Sequence, residues 1–281
     1  VSAAILALSA VAFTLEYGVS NVANLAHGEI LTVGAYAAYV VQQATGNPVA
    51  AALAAALAGG VLALAMHVAV IDQFVRRATP RMVIFIATLG MSLVIQNLLV
   101  MIFGAANVAY TIPQGAPHQV GPFLWTSAEA EILASALAIT AVLYAILQHT
   151  KFGKSVRAVS QDRDLARVTG IDARRVASLT WFLAGIVAGY AGFVLAESVG
   201  TFSPYFGFSF FLITLTAAVA GGLGKPFSTM AGAVIVGIVL EFAGGYVSSS
   251  YELAFAFLIL AVLVLARPRG LFTRGRLSVF E

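Results

Sequence analysis

The chain is 281 residues long, 60% hydrophobic, charged at only 10% of its positions, and has a formal net charge of +3. Soluble domains carry about 25% charged residues, so this composition excludes a soluble enzyme or a nucleic-acid-binding module and describes an integral membrane protein. Cysteine is absent, which excludes disulfides, thiolate nucleophiles and Cys-ligated zinc or iron–sulfur centres.

The opening run VSAAILALSAVAFTL (1–15) has no charged leader and no small-residue cleavage site followed by a mature domain, so no cleavable signal is expected. The run is short for a span, and the stretch from Glu16 to Glu29 is interrupted by Gly, Asn, His and Glu. A broken or re-entrant helix pair is expected there, because non-helical backbone at membrane depth is tolerated only where protein or a water-filled cavity surrounds it. With about 20 apolar residues needed per spanning helix, further spans are expected near 48–71, 83–104, 129–149, 176–198, 207–223, 228–244 and 252–266. The expected fold is all-α, a polytopic transmembrane bundle of about 8–10 helices, with residues 1–281 forming one transmembrane domain.

Of the 15 Lys and Arg, all but Lys225 fall in three segments: Arg76 to Arg81, Lys151 to Arg175, and Arg267 to Arg276. Basic residues in short loops beside apolar spans mark the cytoplasmic side. An even number of expected spans separates each segment from the next, so loops near 72–82, 150–176 and 267–281 share that side. The turn-rich segments 108–127, 202–206 and 245–251 then lie opposite, with Trp125, Tyr205, Tyr246 and Tyr251 as interfacial aromatics.

A second interruption lies at AGGLGKPFSTMAGAVIVG (220–237), where a helix is expected to resume after Ser228. Each break is followed by a small-residue helix, TVGAYAAYV or MAGAVIVGI. Paired interruptions in the two halves point to a transporter built from inverted repeats with its pathway between them. Charged groups at membrane depth face the bundle interior or a cavity, so Asn24, His27 and Glu29 are candidate pathway residues. Glu29 also suits the first turn of the helix it opens. Thr216, Gly222 and Gly224 are the candidates in the second half, the glycines allowing close backbone approach. Glu197 and Glu241 are expected to face the interior or a cavity, His67 and His149 to be interfacial, and His118 to lie in an exposed loop.

Catalytic signatures fail on residue type. His27-Gly28-Glu29 lacks the Pro-Cys-x-x-Cys partner of the zinc deaminases, and GGLGKP has Val219 and Pro226 where a phosphate loop needs Gly and Ser or Thr. Neither HExxH nor G-x-S-x-G occurs, so no catalytic residue and no metal site is assigned. The long basic loop carries helix signals instead. Asp162 is an N-cap, Asp164 suits the first turn, Gly170 is a stop, and Arg163 with Arg167 form an exposed i, i+4 edge. A short helix near 163–169 is expected on the cytoplasmic face. Leu165, Val168 and Ile171 are too sparse for a membrane-surface helix but sufficient for a groove contact with a protein partner.

Four stretches, NLAHGEILTVGAYAAY (24–39), ATLGMSLVIQN (87–97), FGKSVRAVSQDRDLARVTGIDARRVASLTWFLAG (152–185) and FSPYFGFSFFLITLTAAVAGGLGKPFSTMAGAVIVGIVLE (202–241), cover more than a third of the chain. In these the chain resembles the permease subunit of the branched-chain amino acid ABC transporters, the LivH-like family. The resemblance implies a second, LivM-like permease, two cytoplasmic ATP-binding subunits carrying ATP and Mg, an extracytoplasmic solute-binding protein, and no cofactor on this chain. It implies an inner-membrane protein in lipid, with Asp162 to Gly170 as the helix that couples to an ATPase. Glu197 and Lys225 depart from the family pattern, where small or aliphatic residues stand. The cargo implied is an amino acid, with urea, short amides and small carboxylates as alternatives. A proton-coupled secondary transporter using His27 and Glu29 is the competing class, and a membrane-embedded enzyme a third, disfavoured by the missing motifs.

Overall fold

The computed structural model describes residues 1–110, 117–120, 123–246, 251–266 and 270–271. The chain opens with α1 (Ser2–Ser20), α2 (His27–Thr45) and α3 (Pro48–Met66); a π-helical turn, His67–Ile71, joins α3 to the short α4 (Asp72–Arg76). After α5 (Arg81–Phe103) come the strands β1 (Val108–Ala109), β2 (Pro117–Val120) and β3 (Phe123–Thr126), then α6 (Ser127–His149), α7 (Lys151–Gln161) and α8 (Arg163–Val168). The rest is α9 (Ala173–Val199), β4 (Thr201–Phe202), α10 (Phe206–Gly221), α11 (Pro226–Tyr246) and α12 (Glu252–Ala266). Among the described residues, six helical segments are long and apolar enough to cross a membrane, including α3 through α4 as one length, with α10 and α12 shorter. The protein is a multi-pass, all-α membrane bundle, and the expected spans fall on α3, α5, α6, α9, α10, α11 and α12.

Burial separates an inner pair from an outer ring. The apolar windows of α1 and α9 are 72% buried, against 22–33% for the other four spans. Lipid is as apolar as leucine, so helices associate through close backbone approach at small residues rather than by leaving the solvent. Along α3, Ala51, Ala55, Gly59 and Ala63 form a buried stripe at four-residue spacing, while Val49, Leu53, Leu57 and Val61 face outward. The stripe meets Gly185 and Gly189 of α9, and Gly34 of α2 also lies against Gly189. On the other side of the axis, α1 meets α10 through the Ser9 and Thr214 hydroxyls, hydrogen-bonded at 2.9 Å, and α11 through Thr14 and Thr229 at 3.1 Å.

Several local features differ from the sequence-based expectation. The first helix does not stop at Leu15; α1 runs through Glu16 and Gly18 to Ser20, and the break is confined to 21–26, opened by Asn21 in the left-handed region at φ 53. Glu16 lies within the helix, its carboxylate hydrogen-bonded inside the bundle to Asn24 and His27. The first basic loop does not begin at 72 either, since the helix continues to Arg76 and Asp72 is buried. His67 is not interfacial but 1% exposed, stacked on Trp181 of α9 with ring centroids 5.3 Å apart. The resumed helix of the second half begins at Pro226 rather than after Ser228, proline being suited to a first helical turn.

The segment before α6 contains a small hairpin, β2 with β3, and β1 pairs with β4 across the chain. Trp125, Tyr205, Tyr246 and Tyr251 are all exposed. The His118 side chain and the basic cluster Arg267 to Arg276 lie outside the described residues.

Candidate functional site

The two helix breaks organise the polar interior. In the first, the chain leaves α1 at Ser20 and returns as α2 at His27. Asn24 Nδ2 donates to Glu16 Oε2 at 2.9 Å, and Asn24 Oδ1 accepts the backbone N–H of Ala26 at 3.0 Å. His27 Nδ1 lies 2.9 Å from Glu16 Oε1; with the carboxylate ionised, the Nδ1–H donates. Phe13 and Phe211 flank the imidazole, with ring centroids at 5.4 and 6.1 Å. Glu16, Asn24 and His27 are all 0% exposed. A buried charge is tolerated when it is paired and hydrogen-bonded, and this arrangement ties the later half of the irregular segment to α1. A further bond ties the same part to α5, where the Leu25 N–H donates to Thr88 Oγ1 at 3.2 Å.

Glu29 forms a separate group. It stands in the first turn of α2, but its Oε1 accepts from Ser92 Oγ at 2.9 Å and Gln96 Nε2 at 2.7 Å, both on α5. Among the described residues no hydrogen bond joins His27 to Glu29. His27 Nε2 and Glu29 Oε2 are buried without a hydrogen-bond partner.

In the second half, Thr216 is buried, donating to Leu212 O at 3.0 Å and reaching Ala256 O of α12 at 3.3 Å. Gly222 (φ 101) caps α10 and Gly224 (φ 82) turns the chain towards α11, both in backbone conformations that disfavour side chains. The end of α1 comes against the second break here: a Cβ on Gly18 would lie 3.8 Å from the Gly224 Cα. Around this junction lies a cavity of about 560 Å³, lined by Gly18, Asn21, Arg157, Ser160, Gly224 and Lys225 among others. A second, of about 290 Å³, is bordered by Ser20, Asn21, Thr79, Arg81, Gln161 and Arg163. The end of α1 therefore stands between two cavities at the basic end of the bundle. Asn24, His27 and Glu29 line neither of them. At the opposite end, Glu129, Glu197 and Glu241 border a cavity of about 350 Å³; Glu197 is half-buried there, and Glu241 is exposed rather than turned to the bundle interior.

The short helix of the basic loop forms as its caps predict. Asp162 Oδ1 accepts the backbone N–H groups of Asp164 and Leu165, both at 2.9 Å, and Gly170 ends the turn at φ 85. Leu165 is 63% and Val168 85% exposed, so α8 presents two apolar side chains outward. Arg167 is exposed and pairs with Asp164 at 3.2 Å. Arg163 is not the exposed partner of Arg167 that i, i+4 spacing suggests. It turns inward to 3.9 Å from the buried Asp72, and burial, with Arg167 next, holds its guanidinium below the ordinary arginine value against the pull of Asp72 and Asp164.

Sequence reasoning missed Glu16, the acceptor for two of the three predicted residues. The available signal was a carboxylate within an apolar run, but its partners lie across a chain reversal and spacing does not reveal them. Among the described residues there is no group of His, Asp and Glu able to hold a metal ion. The Glu16 and Glu29 groups are engaged in internal hydrogen bonds, an arrangement that shapes backbone rather than activates a nucleophile.

The chain is 28% identical over 283 residues to the high-affinity branched-chain amino acid transport system permease protein LivH of Escherichia coli (strain K12), covering 95% of this chain and 91% of that protein. It is 25% identical over 285 residues to the corresponding permease protein BraD of Pseudomonas aeruginosa, with the same coverages. The ribose import permease protein RbsC of Bacillus subtilis (strain 168) is 29% identical over 133 residues, which is 44% of this chain and 41% of that protein. No solved structure gives a significant match. Residues 1–266 match the family model described as branched-chain amino acid transport system / permease component, and the chain belongs to that family.

Proposed function

We propose that this chain is a permease subunit of an ABC importer that moves an amino acid inward across the cytoplasmic membrane. ATP and Mg are bound on two separate cytoplasmic ATPase subunits, a second LivM-like permease completes the membrane unit, and an extracytoplasmic protein delivers the solute. The observation that carries this reading is likeness over 95% of the chain to a protein named as a branched-chain amino acid permease. The basic end, with α7 and α8, is the cytoplasmic face. The two breaks border the pathway: Asn24, His27 and Glu29 in the first half, Thr216, Gly222 and Gly224 in the second. His27 and Glu29 are buried and line neither cavity at the basic end, so they shape the first break, while Gly18, Asn21 and Gly224 border the larger of the two.

Affinity purification from the native membrane in mild detergent, followed by mass spectrometry, tests the assembly. A stoichiometric Walker-motif ATPase with a second permease is expected; a lone chain still competent for uptake would overturn the reading. The docking role of α8, with Asp162, Asp164, Arg163, Arg167 and Gly170 shaping it, makes a sharper prediction. Because Leu165 and Val168 are exposed, Leu165→Asp with Val168→Asp should leave insertion and stability unchanged, since surface changes away from special features stay within about 0.5 kcal/mol. The ATPase subunits should nonetheless fail to copurify and uptake should fall to background. Normal uptake in that double variant would refute docking through α8.

A further inference from the structure

Asp72 is 1% exposed, yet it faces three arginines from three segments of the chain. Arg76 Nη2, on its own helix, lies 2.9 Å from Asp72 Oδ2, and Arg174 Nε, in the first turn of α9, lies 3.0 Å from the same oxygen. Arg163 Nη2, the first residue of α8, lies 3.9 Å from Asp72 Oδ1. One carboxylate is thus shared by α4, α8 and α9. Without it, Arg76 and Arg174 would lose the carboxylate they share, and Arg163 would keep only the pull of Asp164.

The helix leading into Asp72 is irregular. The π-helical turn His67–Ile71 precedes it directly, and such turns insert one extra residue and recur at functional positions. An extra residue rotates the downstream helix by about 100°, and here it carries Asp72 towards α8 and α9. The same turn bears His67, buried against Trp181 of α9 with neither ring nitrogen hydrogen-bonded. The joint is therefore fixed to α9 twice, by ring stacking at His67 and by the ion pair at Asp72, whereas its ionic link to α8 runs through Arg163.

We infer that Asp72 is a positioning residue that carries movement of the α8 helix into the membrane-spanning α3 and α9 through Arg163 and Arg174. This rests on the reading of α8 as the ATPase-docking helix and names the inward link that reading requires. Displacement of α8 by a partner pulls Arg163 against a carboxylate rooted in the continuous helix of α3 and α4. Arg174 passes the same displacement to α9, which packs on α1, α2 and α3.

The test uses the assembled transporter in proteoliposomes, reading three quantities: ATPase subunits bound, ATP hydrolysed, and solute taken up per ATP. In Asp72→Asn the ATPase subunits should stay bound, since Leu165 and Val168 are untouched, while uptake per ATP falls about 10-fold, within the usual range of coupling between sites. Asp72→Glu should recover most of that loss. Arg163→Gln guards against a folding defect, because Arg76 and Arg174 still neutralise Asp72 in it; the same loss of uptake per ATP is expected. Unchanged uptake per ATP in both Asp72→Asn and Arg163→Gln overturns the inference. So does a fall in uptake that matches a fall in bound ATPase, which would make Asp72 a stability residue only. A wild-type chain that transports with no ATPase bound would instead overturn the docking reading beneath it.

Discussion

Glu16→Ala should lower the stability of the purified chain by about 3 kcal/mol, the lower end of the range for removing one member of a buried pair. The reason is geometric: Glu16 is the shared acceptor for Asn24 Nδ2 and His27 Nδ1, each at 2.9 Å and all three residues 0% exposed. Alanine strands both donors away from water, and each stranded group costs about 1–3 kcal/mol. Glu16→Gln should cost clearly less. Its Oε1 still accepts from Asn24, and its Nε2 donates to a His27 ring carrying the proton on the other nitrogen. Thermal or denaturant unfolding in detergent, followed through Trp181 in the core, measures the series. The order wild type, Glu16→Gln, Glu16→Ala is the expected result; an alanine variant as stable as wild type would show that the Glu16 cluster does not hold the first break closed.

That cluster also marks how far the sequence was legible. Signals confined to one turn were readable. The Asp162 cap and Gly170 stop bound α8 as expected because capping is decided by residues two or three apart, and the apolar spans follow from length alone. Pairings set by the approach of distant elements were not. Asp72 reads as the first residue of a basic loop, since nothing in DQFVRR announces that Arg163 and Arg174 come to it from about a hundred positions on. Ser92 and Gln96 look like ordinary polar residues of α5 until Glu29 is placed against them. The amphipathic α7 is hidden because its charges merge with those of the loop. His67 is misplaced for the converse reason: closeness to a basic cluster suggests the interface, whereas the π-helical turn directs it onto Trp181.

The glycines of α9 should be the least replaceable residues of the bundle, with Gly189→Leu giving no folded protein and Gly189→Ala a loss of about 2–3 kcal/mol, the upper part of the overpacking range. A Cβ at Gly189 would run into the Ala55 carbonyl of α3 and stand 3.0 Å from the Gly59 Cα. Both obstacles are backbone, so relief requires moving a helix rather than a side-chain rotamer. Gly34 of α2 also packs directly on the Gly189 backbone, so α9 is held there by two helices at once. The comparison that isolates packing from helix propensity is Gly90 of α5, which has nothing within 4 Å of a built Cβ. Gly90→Ala removes only the conformational disadvantage of glycine in a helix and should be neutral or gain about 0.5–1 kcal/mol. Extraction yield, monodispersity and unfolding midpoint of the two alanine variants read the difference directly. Equal behaviour would mean that α2, α3 and α9 separate without penalty, and the close-packed axis would have to be abandoned. A large gap places the energetic centre of the molecule where three helices share one glycine, beside the breaks rather than at them. The axis of α2, α3 and α9 is then held by contacts that need no polar group, whereas α1 meets α10 and α11, the helices of the second break, through paired hydroxyls.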